Sequence, residues 1–385
     1  MMTSRAGLRA ALASGVIAVL PAAYAANAAT DPSQNTEALH ESAAAVIARQ
    51  LPDFPRRIRR SQEGWVRMSY VISPDGRAID PIIIDSSGGI GFEHEVVKAS
   101  EAWRFEPAGI PGELPYNLAD FHFTIIGQGK GSTKKFARYA KHIMKNLHAE
   151  KLADARGIVD EALRTGGWSL YESTILFLMA GRVAGAEGDD AQKLEMYRRG
   201  LAVSDDHSLR PNARRDLLGE IFELELQFGQ YAAAMRTFAA LEAVPGSADI
   251  VERLSARSDE AAAILDGDED LVAKATIMNP CNCDEGIPLW DYGPVRRSFS
   301  FANISGNVDR FEARCERRRV SDIVRPAQTW TLEENWGSCR IFVFGDDRAT
   351  FDFLGHLPDN GRNSDAAGKT TVARNYVLDQ RNRSQ

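Results

Sequence analysis

Between Leu51 and Gly127 the spacing of apolar residues changes from strand-like to helical and back. Residues 65–71, WVRMSYV, alternate with a period of two, which places Val66, Met68 and Tyr70 on one face of a strand. Pro74-Asp75-Gly76-Arg77 predicts a turn, with Gly76 where a positive φ is needed, and Ala78 to Ile84 predicts the second strand of a hairpin. In GFEHEVVKASEAW, Phe92, Val96, Val97 and Trp103 fit one face of a helix. Trp103 and Phe105, two apart and stopped by Pro107, then predict a short strand, and Phe121 to Ile126 a final one. Upstream, residues 37–51 (EALHESAAAVIARQL) predict an Ala-rich helix. The expected order is helix, strand, strand, helix, strand: an α+β module over residues 30–127 with one sheet face left to cover.

Residues 128–135 read as a flexible linker. Within GQGKGSTKK, Lys130 is followed by Gly131 rather than Ser or Thr, so no phosphate loop is expected. From residue 136 to 265 the period is helical throughout, and EKLADARGIVDEAL, GDDAQKLEMYRRGL and GQYAAAMRTFAAL repeat one pattern. Aligning Glu150, Gly188 and Gly229 brings Ala155, Lys193 and Ala234 together, and likewise Val159, Tyr197 and Phe238. The intervals are 38 and 41 residues, and Gly-x-Tyr-x-x-Ala is complete only at Gly229, Tyr231 and Ala234. This resembles a degenerate set of tetratricopeptide helix pairs, which implies either a concave docking surface or a spacer.

After the acidic stretch DGDED at 266–270, β-formers dominate. VRRSFSFANI, RFEARCERRR, QTWTLEEN and CRIFVFGDDRATFDFLG predict a small all-β domain over 280–358. A polar tail, 359–385, reads as disordered. The fold class is therefore multidomain: an α+β module, an α-helical repeat and an all-β domain.

The N-terminus changes the compartment. Arg5 and Arg9 precede a short apolar run from Ala10 to Leu20, and Ala23-Tyr24-Ala25 and Ala26-Asn27-Ala28 fit a cleavage rule, so residues 1–28 read as a signal peptide. The run is shorter than a membrane-spanning helix needs. The expected location is the periplasm; an uncleaved leader would instead anchor the chain in the inner membrane, the one way it would touch a membrane. A formal charge of -7 with no dominant basic face argues against nucleic acid as a partner. All four cysteines come late, at Cys281, Cys283, Cys315 and Cys339, and their spacing suits disulfides better than zinc. Cys315 and Cys339 each sit inside a strand candidate and are the expected cross-strand bridge; Cys281 and Cys283 pair with each other or elsewhere, and three connectivities stay open. Trp330 and Trp336 flank the bridge.

Signals of catalysis are thin. His94-Glu95 lacks the second histidine of a zinc-protease motif, and no Gly-x-Ser-x-Gly elbow is present. Asp346, Asp347 and Asp352 lack calcium-loop spacing. No catalytic residue, metal or cofactor is expected. Arg296, Arg297, Arg310, Arg314 and Arg317 to Arg319 read as a solvated strand face paired with Glu312 and Glu316; Arg56, Arg57, Arg59 and Arg60 read as another solvated face.

Five motifs run in order through the first module: Phe54-Pro55, Gly64-x-Val66, Pro74-Asp75-Gly76, Ser86-Ser87-Gly88 and Trp103-Arg104-Phe105-x-Pro107. Together they resemble the C-terminal domain of TonB proteins, over about a fifth of the chain. The resemblance implies that Trp103 and Phe105 are core residues that pack the long helix on the sheet. It also implies binding of a periplasmic or outer-membrane protein or peptide, such as a TonB-dependent transporter, by strand addition. The candidate edge is the last strand, with Phe121, His122, Phe123, Thr124 and Ile125. An early position in the chain, no clear anchor and no long Pro-rich spacer depart from the family's pattern, and point to a soluble relative rather than an energy transducer. The alternative expectation is an envelope scaffold that binds through its helical repeats.

Overall fold

The computed structural model describes residues 33–40, 46–56, 62–88, 91–107, 113–125, 131–205, 207–281 and 286–357. The leader, the polar tail, residues 128–130 of the linker, Arg57, Arg59, Arg60 and Cys283 lie outside the described residues.

The hairpin forms where the alternation places it. β3 (Gly64–Ile72) and β4 (Ala78–Ser86) pair antiparallel around Gly76, whose φ is 78°. A Cβ on Gly76 would lie 2.1 Å from the Phe105 carbonyl oxygen, so the turn needs glycine for both reasons. α1 (Phe92–Ser100) follows and lays Phe92 and Val96 on the sheet. β6 (Tyr116–Ile125) returns antiparallel beside β3. The N-terminal segment corrects the expected helix. It holds β1 (Ser33–His40), paired with β6, and β2 (Val46–Ala48), paired with β5 (Arg104–Phe105). Helix propensity is a weak local preference, and an available sheet edge overrides it. The sheet order is β1-β6-β3-β4.

The helical stretch comprises α2 (Lys134–His148), α3 (Leu152–Thr165), α4 (Leu170–Ala186), α5 (Asp190–Val203), α6 (Pro211–Gln227), α7 (Tyr231–Glu242) and α8 (Ala248–Asp266). They pack as successive hairpins, α2 with α3, α4 with α5 and α6 with α7, and α8 closes the stack against α6 and α7. The three aligned turn residues, Glu150, Gly188 and Gly229, all have positive φ, of 56°, 79° and 67°. The aligned Ala155 and Ala234, and Val159, Tyr197 and Phe238, are buried in the hairpins. Gly229 is further constrained, because a Cβ there would lie 1.9 Å from the Val272 carbonyl oxygen.

The β domain was expected to begin at residue 280, but β7 (Leu271–Thr276) already belongs to it. β8 (Leu289–Tyr292), β9 (Ser298–Ser305), β10 (Val308–Cys315), β11 (Arg319–Ile323), β12 (Trp330–Thr331), β13 (Cys339–Gly345) and β14 (Thr350–His356) complete a sandwich of two four-stranded sheets, β11-β10-β13-β8 and β12-β9-β14-β7. Between them lie Phe299, Phe301, Phe311, Phe351, Phe353 and Trp330, all nearly inaccessible. Cys315 and Cys339 face each other across β10 and β13 and form a disulfide; Trp330 and Trp336 share its core. Cys281 is also disulfide-bonded. The Cys315–Cys339 bridge spans 24 residues in sequence, so the chain-entropy estimate is about 3.5 kcal/mol of stabilisation. Replacing both cysteines by Ala is expected to lower the urea midpoint accordingly; an unchanged midpoint would refute this.

Candidate functional site

The three parts meet around β3. Along this strand Val66, Met68, Tyr70 and Ile72 point into the core under α1, while Trp65 enters the core of the first helices beside Phe136 and Trp168. Ser69, on the same outer face as Trp65, meets the sandwich. The face expected to need a cover has one: Ile82, Ile84 and Leu118 of the module pack on Leu289, Phe342 and Phe344. Strand β13 makes this possible by alternation, sending Ile341 and Val343 into the sandwich and Phe342 and Phe344 outward.

A buried charged cluster ties the same interface. Arg314 is fully buried and donates to Glu312 (2.6 Å), the Ser69 hydroxyl (2.9 Å) and the Asp80 carbonyl (2.8 Å). Arg319 donates to Glu312 (2.6 Å) and pairs with Asp80. This corrects the expected solvated arginine face: Arg314 lies on the strand face that the module covers. Burial by itself raises the pKa of Glu312, but the guanidiniums of Arg314 and Arg319 outweigh it and hold the carboxyl below its ordinary value. A second tie runs through Arg199 of α5, which pairs with Asp85 of β4 (2.9 Å) and donates to the Asn279 carbonyl (2.7 Å). Glu63 accepts from the amides of Ile125 and Leu170, both at 3.0 Å, and so fastens the end of β6 to the start of α4.

β6 carries the expected site residues. Phe121 and Phe123 are buried in the core: Phe123 lies 4.8 Å from Phe92 between ring centres, and Phe121 lies 5.8 Å from Trp103. His122 and Thr124 take the opposite face, and Ile125 ends the strand. Burial pulls the His122 pKa down, against the pull of Asp120; Asp120 itself is held by Arg67 through bonds of 2.8 and 3.1 Å. The expected free edge is corrected here: β1 pairs with β6 from Ser33↔Ile125 to His40↔Leu118. Alternation along a strand reports its two faces and carries no information about its in-plane neighbours. The opposite edge, β4, is obstructed. Asp80 has a φ of 48° next to Pro81, the Arg314 side chain takes the Asp80 carbonyl, and the Ser86 amide donates to the Pro280 carbonyl at 3.1 Å.

The helical layer contributes a groove of about 830 Å³ between α5, α6 and α8. Its charged lining is largely paired: Lys193 with Glu220 (2.9 Å), Arg215 with Asp249 (3.3 Å) and Arg257 with Glu223. Sequence reasoning missed this groove, because its residues come from three helices and look like ordinary surface charge on each. Among the described residues no cluster of His, Cys, Asp and Glu has the arrangement of a metal site, and no helix is long and apolar enough to cross a membrane.

Residues 50–125 match the family described as Gram-negative bacterial TonB protein C-terminal. The chain is 36% identical over 67 residues to Protein TonB of Escherichia coli (strain K12), covering 17% of this chain and 28% of that protein. It is also 36% identical over 93 residues to Protein TonB of Klebsiella pneumoniae, covering 23% and 38%. A solved structure, the solution NMR structure of the Pseudomonas aeruginosa TonB CTD, aligns with 23% of this chain and 93% of its own at 28% identity, with a TM-score of 0.20. The chain thus spans well under half the length of the curated relatives, and the match lies in the N-terminal module.

Proposed function

We propose that this protein is a periplasmic, non-enzymatic protein-binding factor that takes an extended segment of an envelope protein along β6 by antiparallel strand addition. The observation that carries the reading is the match of residues 50–125 to the TonB C-terminal domain. Two features support it further: the obstruction at β4 leaves the β6 side of the sheet as the one a partner would use, and Phe121 and Phe123 anchor β6 in the core from behind. Main-chain bonds would supply affinity in such a mode. Export rests on the leader-like pattern of residues 1–28. A TonB-dependent transporter of the outer membrane is the partner the domain suggests. The helical hairpins, read as tetratricopeptide-like, and the sandwich would then hold the module in place.

The test is amide hydrogen exchange on the full chain with synthetic peptides from the periplasmic N-terminal segments of such transporters. Peptide-dependent protection confined to residues 116–125 is expected. Protection over α6 and α8 instead would overturn the reading in favour of a scaffold that binds through its helices; the groove between α5, α6 and α8 is what favours that second reading.

A further inference from the structure

The outer side of β6 is already taken by another part of the same chain. We infer that β1 is an internal occupant of the docking edge, and that it must leave before a partner strand can add. The inference rests on the strand-addition reading above and names how that site is regulated.

The pairing extends over eight successive positions, from Ser33↔Ile125 to His40↔Leu118, and runs antiparallel. It therefore covers the stretch of β6 that an added strand would use. Among the described residues β1 has no strand on its own outer side, so it is the terminal strand of the order β1-β6-β3-β4. The obstruction at β4 leaves a partner no second edge of this sheet.

The composition of β1 suits a strand that can be released. Its sequence, SQNTEALH, has one large apolar residue, Leu39. The two central strands that build the module differ: GWVRMSYVI in β3 and YNLADFHFTI in β6 are rich in aromatic and branched residues. Apolar burial drives most strand docking, so a strand of this composition relies chiefly on main-chain bonds, the same kind of bond a partner would offer. Segments with little apolar contact open at the low end of a protein's range of local stabilities.

The tether keeps β1 competitive despite weak intrinsic hold. Only residues 41–45 separate it from β2, which is fixed to β5 by Val46↔Phe105 and Ala48↔Arg104. A tether this short presents β1 to β6 at an effective concentration in the millimolar range. A free peptide of equal intrinsic affinity is excluded, and only a better strand enters. The apparent affinity of any partner is reduced by the fraction of molecules in which β6 is vacant.

The experiment compares the full-length protein with its Asn35→Pro, Thr36→Pro double variant. Proline cannot donate to a ladder, and two adjacent prolines remove a donor whichever of the two amides faces β6. Hydrogen exchange is followed at residues 118–125 and at residues 64–72. At least tenfold faster exchange at 118–125 in the variant, with 64–72 unchanged, is the expected result. A synthetic peptide of sequence SQNTEALH, added at millimolar concentration, should restore protection in the variant and leave the wild type unchanged. Equal exchange in the two proteins, loss of protection at 64–72 as well, or no rescue by the peptide would each overturn the inference. Transporter peptides separate this from the parent reading. Binding at least tenfold tighter to the variant supports the occupant, and equal affinity for both proteins overturns it while strand addition stands. Binding to neither sinks strand addition and leaves the exchange result to decide whether β1 covers β6.

Discussion

Arg314→Ala is expected to lower the unfolding free energy by about 3 to 5 kcal/mol, the range for breaking a buried ion pair from one side. The side chain is fully buried and serves three partners in two parts of the molecule: Glu312 on its own strand, and Ser69 and the Asp80 carbonyl in the N-terminal module. Removing it leaves the Glu312 carboxylate to Arg319 and the more distant Arg310 (3.9 Å), and strips the Ser69 hydroxyl and the Asp80 carbonyl of a donor. Arg314→Lys restores charge but not the planar fork, and should recover only part of the loss. Urea unfolding of the full chain gives the answer, and a change below about 1 kcal/mol would mean that the interface does not depend on this cluster.

The same cluster makes stability depend on pH. The carboxyl of Glu312 is depressed in the folded protein relative to its ordinary 4.5. The unfolded chain therefore binds the proton more readily, and the stabilisation is fully present above the unfolded value and lost as pH falls through the folded one. The urea midpoint should drop as pH is lowered from about 5, and Glu312→Gln should flatten that drop. An identical acid slope in the variant would assign the effect to other carboxylates.

Trp103→Ala is the second large effect, about 3 to 5 kcal/mol for removing a buried tryptophan. Its ring is inaccessible, lies 5.1 Å from Tyr70 edge-on and 5.8 Å from Phe121, and carries the Arg49 guanidinium at 4.4 Å. Its Nε1 donates to the Gln50 carbonyl at 2.8 Å. The residue thus joins β3, β6 and the segment carrying β2. Trp103→Phe keeps most of the packing and loses the hydrogen bond, at an expected cost of about 1 to 2 kcal/mol. Thermal unfolding of both variants checks the ratio. Equal losses would place the stabilisation in the hydrogen bond rather than in the buried ring.

The residues around Trp103 also mark what local pattern can convey. The alternation of β3, the glycine turn at Gly76 and the helical spacing of Phe92 and Val96 are short-range signals, and each produced its element. The repeat of turn residues at Glu150, Gly188 and Gly229 likewise appears as three left-handed turns, because a hairpin of helices constrains its own connection. The pairing of Cys315 with Cys339 was legible because both cysteines fall within strand patterns and their strands pair.

What the sequence by itself determined is therefore the set of elements whose identity depends on residues within a turn or two, together with the resemblance carried by the motifs from Phe54 to Pro107. Tertiary structure alone decided the rest. Whether residues 33–40 are helix or strand depends on an edge more than seventy residues away, which a local preference cannot report. Whether Arg314 is solvated or buried depends on which surface covers its strand, and that surface is more than two hundred residues upstream. The periodicity of a strand encodes which side chains share a face. It does not encode what lies against that face, or which strand lies beside it in the sheet, and those two contacts decide both how the parts are joined and which strand ends the sheet.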